Sequence, residues 1–369
     1  MPAVISLPYD VEELTRPEQF EALRLEWDAL LARADGSLFQ TWEWQWSWWQ
    51  HFGRGRLWLL TARRQGELVG IAPLMLGRYL GSPLRRLQFI GTLGTDYLDV
   101  IVARGQETEL VACFLSEIAA RRRRWDVVDL QQIRDSSPLA AASAPPPCRT
   151  RRLHQERCPF VRLPVTWEEY SGSLGKSLRK NIGYYRRLME REHTCEIETV
   201  TNGQLPEAME EFFALHQARW RRRRLPGAFA GERSRRFHRE VAARLHERGW
   251  LRLHRLRLDG QTQAVLYCFN YGGKGYYYQG GFEPALARYS PGTVLTAHAI
   301  EDSIQQGAAE FDFLRGDEPY KYAWKASDRE NVRLLIWRPA FPSRLAPWLN
   351  RLERQVEHGA KAVARRLQG

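Results

Sequence analysis

Residues 311–325, FDFLRGDEPYKYAWK, crowd Asp312, Arg315, Asp317, Glu318, Lys321 and Lys325 around one glycine and two tyrosines. Such charge density at the end of what reads as a buried strand exceeds what a connecting loop needs. Asp312 lies between Phe311 and Phe313, so on a strand its carboxylate points to the face opposite both rings. A reaction in which a protonated nucleophile attacks requires a base, or a hydrogen-bonding anion, to remove or orient its proton. Asp312, Asp317 and Glu318 fit that task, and Lys321 could neutralise them, bind a phosphate or stabilise an oxyanion. Asp312 and Lys321 are therefore candidate catalytic groups, with Arg315, Asp317, Glu318 and Tyr320 as candidate substrate contacts. The same residues also fit an ion-pair cluster that ties a strand end to its neighbour, since purely structural networks carry perturbed charges too.

Upstream, an aromatic strand (residues 276–279) leads through an irregular segment to Ser290-Pro291-Gly292-Thr293. These open a helix that runs to about Gln306, and Gly307 ends it before the strand at 309–314. The first-turn N–H groups of a helix lack internal partners and its dipole favours an anion, so a strand, this helix start and a second strand form a phosphate-binding arrangement. Ser290, Gly292 and Thr293 are its candidate phosphate or cofactor contacts, Gly292 because it allows close backbone approach. Taken alone, the same residues are an N-cap serine with proline at the first helical position. His216 sits in FFALHQARW, where Arg219 and Trp220 share its helix face. Its imidazole could serve as a general base beside Arg219 and Trp220 as substrate contacts, although a packed, hydrogen-bonded helix histidine is commoner.

YSPGTVL, followed about twenty residues later by FDFLRGDEPYKYAW, resembles the signature of the cellulose-biosynthesis-type acyltransferases, a branch of the GNAT superfamily related to the Fem-type peptidoglycan aminoacyltransferases. FQTWEWQWSWWQHFG, GTDYLDVIV, SLRKNIGYYRR and LHQARW support it, and the likeness runs from about Phe39 to Trp337. The resemblance implies tandem GNAT-like α/β domains, each a mixed central sheet flanked by helices. An acyl thioester such as acetyl-CoA would lie in the splay between two central strands of the second domain. The implied reaction moves an acyl group, most simply acetyl, to an amino or hydroxyl group of a sugar or cell-surface polysaccharide precursor by direct attack on the thioester. The longer Arg/Gln-x-x-Gly-x-Gly/Ala phosphate loop of single-domain GNAT enzymes is replaced here by Ser290-Pro291-Gly292-Thr293, which leaves an aminoacyl-tRNA, the donor of Fem-type relatives, as the alternative. A non-catalytic accessory protein of polysaccharide synthesis, docking through its Trp-rich segment and basic tail, is a third reading.

The elements that must position these residues are legible in outline. A chain of 369 residues with 44% hydrophobic content has room for two domains. Residues 18–34 carry helical spacing, a Trp-rich helical segment follows, and the hairpin turning at Arg64-Gln65-Gly66-Glu67 has a counterpart at Leu258-Asp259-Gly260-Gln261, which suggests an internal duplication. The Ala-, Ser- and Pro-rich stretch at 136–153 marks the boundary, giving domains over 1–150 and 151–340 and a basic amphipathic helix over 341–369. That tail has two candidate partners, the protein's own surface or an anionic membrane. A net charge of +12 favours an anionic partner. The basic helix of Lys176, Arg179, Lys180, Arg186 and Arg187 could hold CoA phosphates, a tRNA acceptor stem or an anionic glycan, and no DNA-binding motif accompanies it. Five scattered cysteines read as small buried hydrophobes in a reducing compartment and offer no metal site. With no apolar run of spanning length, the expectation is a cytoplasmic protein, peripheral at most to the inner membrane face.

Overall fold

The computed structural model describes residues 9–79, 82–92, 94–201, 203–222 and 227–339, with Arg219 and Arg222 by backbone alone. The expected tail helix lies outside them. The chain forms two units, one running through Glu156 and resuming at Glu330, the other spanning Arg157–Arg329. The expected second domain, 151–340, therefore loses its last stretch to the first unit.

The first unit holds strands β1 (Asp10–Leu14), β2 (Arg56–Arg64), β3 (Glu67–Arg78), β4 (Arg85–Phe89), β5 (Ile101–Val102) and β6 (Val127–Arg134). Its sheet runs β1-β2-β3-β4-β6, β5 pairs with β3, and the final strand, Ser327–Trp337, pairs antiparallel with β6. β4 and β6 are parallel. The second unit holds β7 (Arg149–Arg162), β8 (Cys195–Thr199), β9 (Leu251–Leu258), β10 (Gln261–Tyr271), β11 (Lys274–Phe282) and β12 (Glu310–Asp312), in the order β8-β9-β10-β11-β12-β7. Here β11 and β12 are the parallel pair. Each unit thus repeats one plan: an antiparallel run, one parallel step, then an antiparallel strand brought from another part of the chain.

The duplicated hairpins share their turn chemistry. Gln65 and Gly66 have φ of 54° and 82°, and Asp259 and Gly260 have 50° and 76°. Two consecutive positive φ values are what a two-residue hairpin turn matching the strand twist requires, and Asp-Gly supplies them at low cost.

In the first unit the helices are α1 (Arg24–Ala32), α2 (Trp42–Phe52) and α3 (Glu107–Ala120). The helical spacing of 18–34 is realised as two pieces, Pro17–Ala22 and α1, joined at Leu23. Thr41 caps α2 by accepting from the Trp44 amide, as a threonine at that position should. Trp42, Trp44, Trp46 and Trp48 are all buried, and Trp44 Nε1 donates to Thr95 Oγ1 at 3.0 Å. These four rings build the core of this unit, so they offer no docking surface.

In the second unit, α4 (Lys176–Glu192), α5 (Leu205–Arg222), α6 (Glu232–Glu247) and α7 (Pro291–Gln305) cover the sheet on both faces. β10 accordingly carries an unbroken buried run from Ala264 to Phe269, the pattern of a strand covered on both sides. Leu266 and Cys268 join the core under α4 and α7, with Val294, Leu295, Ile300, Phe311 and Phe313. Cys113, Cys158 and Cys268 are buried, whereas Cys148 and Cys195 are half-buried.

β11 and α5 meet backbone to backbone at Gly281, where an added Cβ would stand 2.5 Å from the His216 nitrogen and 2.9 Å from the Leu215 carbonyl carbon. Gly281→Ala should lower stability in urea unfolding by about 1–3 kcal/mol, the cost of overpacking. Gly172→Ala, whose Cβ meets nothing within 4 Å, is the control and should be neutral or stabilising.

Candidate active site

The site is built where two parallel strands part. β11 and β12 are paired over Lys274–Glu310, Gly275–Phe311 and Tyr276–Asp312 and no further. β11 continues to Phe282, whereas the chain after Asp312 turns towards β7: the Phe313 amide donates to Pro159 O and the Gly316 amide to Arg157 O, each at 2.9 Å. Tyr278 forms a bulge in β11 just past the last pair, which sharpens the divergence. Tyr277, Phe313 and Tyr320 line one side of the gap, with ring centroids 6.0 Å (Tyr277–Phe313) and 6.4 Å (Tyr277–Tyr320) apart.

Asp312 is fully buried on the face opposite its two phenylalanine neighbours, as strand alternation demands. Its Oδ1 accepts from the Leu314 amide and its Oδ2 from Arg329 Nη1, both at 2.8 Å. Arg329 also pairs with Glu310 and lies over the Phe160 ring at 4.2 Å. The bond to Leu314 closes an aspartate turn, and it holds Leu314 at φ 56°, a left-handed conformation that costs a leucine about 1–2 kcal/mol. Lys321, also buried, donates to the carbonyls of Leu314, Arg315 and Gly316 at 3.0–3.2 Å and pairs with Glu318 at 2.9 Å. Together Asp312 and Lys321 fold residues 314–318 into a fixed turn. Arg315 is half-buried on it, and Asp317, Glu318 and Tyr320 are exposed.

At the other end of β11, the 3₁₀ turn Pro284–Tyr289 delivers the chain to α7. Ser290 is left-handed, with φ 47°, and its hydroxyl makes no capping bond. The ordinary N-cap serine is therefore not what this helix uses. The Thr293 and Val294 amides both return to Ser290 O, and a Cβ on Gly292 would meet only the Phe282 ring, at 3.9 Å. The turn is anchored from behind by Tyr289, whose hydroxyl donates to Glu192 at 2.8 Å and stands 3.0 Å from His193 Nε2. The Tyr289 hydroxyl, more than the nearby arginines, holds the Glu192 carboxyl below its usual range.

His216 is sealed on α5, and its Nε2 accepts from Trp220 Nε1 at 2.8 Å. It is the packed helix histidine, and it fixes the Trp220 indole. Asp312, Arg315, Asp317, Glu318, Tyr320 and Lys321 share the stretch from the end of β12 onward, Gly292 at the start of α7 faces the Phe282 ring at the end of β11, and His216 and Trp220 lie on α5. Sequence reasoning overlooked Tyr278, Tyr289 and His238, the last of which contacts Tyr278 from α6.

α4 runs antiparallel to α7. Its Ile182, Arg186 and Glu190 face Val294, Ala297, His298 and Glu301 across a cavity of about 190 Å³, and Glu192 reaches Tyr289. Burial raises the Glu301 carboxyl and lowers the His298 imidazole from their usual values. Lys176, Arg179 and Lys180 consequently sit at the far end of α4, roughly 20 Å along its axis from the Ser290 turn. They are too distant to hold a phosphate bound there.

Residues 176–322 match the acetyltransferase (GNAT) domain family. The second unit is a GNAT-type acyltransferase domain. Among solved structures, the chain is similar to FemX at a TM-score of 0.62 with 12% identity, covering 88% of this chain and 96% of that one. It is also similar to the C-terminal domain of a putative lysylphosphatidylglycerol synthetase from Agrobacterium fabrum, at a TM-score of 0.55, 14% identity and coverage of 90% and 96%. L-PGS from Bacillus licheniformis follows at 0.53, 12% identity and coverage of 92% and 98%. At these identities the likeness establishes the fold. No curated protein matches the sequence.

In the GNAT domain, the pairing of Asp312 predicts a structural effect. Asp312→Asn keeps an acceptor for the Leu314 amide but removes the charge facing Arg329, so urea unfolding should show a loss of about 1–3 kcal/mol. A variant of unchanged stability whose turnover has collapsed would instead assign the carboxylate to proton handling.

Proposed function

We propose that the protein is an acyltransferase of the cellulose-biosynthesis type that carries an acyl group, most simply acetyl, from acyl-CoA to an amino or hydroxyl group of a sugar or cell-surface polysaccharide precursor. The observation that carries this reading is the parting of β11 from β12 beside the open start of α7. The gap exposes a strand edge along which an extended thioester can lie, and at the start of α7 the Gly292 amide, with the helix dipole behind it, is the donor offered to an anionic phosphate, since Pro291 has no N–H and the Thr293 and Val294 amides return to Ser290 O. Gly292 leaves room for a phosphate to approach the backbone, and Tyr277 and Tyr320 offer aromatic walls to the chain between phosphate and thioester. The acceptor attacks the thioester carbonyl directly, with proximity supplying much of the rate. Asp312 and Lys321 keep the loop beside the acyl group in shape, and Trp220, held by His216, borders the acceptor side.

A second reading, transfer from an aminoacyl-tRNA, is favoured by one observation: the exposed cluster of Lys176, Arg179 and Lys180 on α4 lies away from the donor gap, where a long polyanion could reach both. It predicts binding of tRNA that weakens steeply with salt.

CoA at a hundredfold excess over its Kd should stabilise the wild-type protein by about 2.7 kcal/mol. Gly292→Val should fold normally, because a side chain at 292 finds ordinary contact distance, yet lose most of that stabilisation. Undiminished CoA binding by the folded variant removes the start of α7 from the donor site. Salt-sensitive tRNA binding without any CoA effect favours the second reading.

A further inference from the structure

On the sheet face opposite α7, a packed aromatic cluster holds three polar heads that the donor site does not use. Tyr278, on the bulge just past the point where β11 leaves β12, places its hydroxyl 3.5 Å from His238 Nε2. His238 is 4% exposed, and its ring is packed edge-on by Phe229 at 4.8 Å and Phe237 at 4.7 Å. Tyr267 completes the group, with its centroid 5.5 Å from Tyr278 and 5.8 Å from His238. The Tyr267 hydroxyl is buried with no hydrogen-bond partner among the described residues. A buried hydroxyl left in that state costs free energy, which favours a site completed by a water or a ligand group. Burial, reinforced by Tyr278, drives the Tyr267 phenol far above its usual pKa, so it remains a hydrogen-bond donor. Tyr278 is half-buried at the bulge, whereas His238 is enclosed.

We propose that Tyr278 and His238 form the proton-transfer pair of the acceptor side, Tyr278 touching the nucleophile and His238 holding its proton. The inference rests on the donor reading above. As the acceptor nitrogen or oxygen bonds to the acyl carbon, its proton passes to the Tyr278 oxygen while the Tyr278 proton passes to His238 Nε2. When the carbon–sulfur bond breaks, the electron pair leaves on sulfur and the pair returns one proton to it, so the products are the acylated acceptor and the free thiol. His216 is less suited to this step, since its Nε2 lone pair is engaged by the Trp220 indole.

The test follows thiol release from acetyl-CoA, with glucosamine as the probe amine, in wild type, Tyr278→Phe and His238→Gln. Each variant should lose roughly 100-fold or more in turnover while keeping the thermal stabilisation by CoA, and imidazole should restore part of the activity of His238→Ala. Turnover within about threefold of wild type in either folded variant overturns the proposal. Independently of activity, ¹⁵N spectra of histidine-labelled protein should show His238 protonated on Nδ1 and bare on Nε2; a proton on Nε2 in the resting protein also overturns it. Absence of both CoA stabilisation and thiol release in wild type overturns the donor reading instead, and the ring tautomer still decides the pair.

Discussion

The ion pair between Asp312 and Arg329 sets the geometry on which the rest of the second unit depends. A parallel ladder, once begun, gains a hydrogen bond with each added residue, so a strand leaves its neighbour only if something else holds it. Here the ladder is fastened at one end by Lys274 and Glu310, 3.5 Å apart, and released at the other by Asp312. The buried carboxylate cannot stand alone in that interior, and the guanidinium that neutralises it also grips Glu310. Its second oxygen bends the chain at Leu314, and Lys321 then gathers the next three carbonyls. The gap between the strands is thus the product of one charge placed where the apolar pattern would otherwise continue.

Much of this plan could be read from the sequence, and the reasons differ element by element. The Gln65-Gly66 and Asp259-Gly260 turns were legible because their chemistry is local, and Ser290-Pro291-Gly292 announced a helix start for the same reason. The alternation Phe311-Asp312-Phe313 correctly placed the carboxylate on its own face. What spacing could not supply was the partner: Arg329 lies beyond the loop, and nothing nearby in sequence distinguishes it from the chain's many surface arginines. The left-handed Ser290 was likewise illegible, because its backbone is set by Tyr289 and Glu192, which come from separate helical turns far apart in the chain. Only the accessory-protein reading made the Trp-rich segment a docking surface, and the four indoles are buried instead, packed in part on Phe20 and Phe39. His238 and Tyr278 meet only after α6 and β11 have packed on the sheet, so no local pattern marks them.

The basic character of the chain also divides once the fold is known. Arg252 with Asp302, Arg255 with Glu198 and Glu211, and Arg333 with Asp129 are paired in the interior, where they serve packing. The exposed cations of α4 run its whole length, from Lys176, Arg179 and Lys180 at the end remote from the Ser290 turn through Arg186 and Arg187 to Arg191 beside Glu192. Net charge alone concealed this division between cations paired in the interior and cations left at the surface.

The order in which strands enter the two sheets carries a consequence for biosynthesis. β6 is made early, but the strand that covers its free edge, Ser327–Trp337, follows the whole of the second unit. A nascent first unit therefore emerges from the ribosome with an unpaired, largely apolar edge, the feature most prone to pairing with a foreign chain. Since domains tend to fold in order of synthesis, this one can begin but cannot close. The interval during which the second unit is being translated is when the molecule has most need of a chaperone.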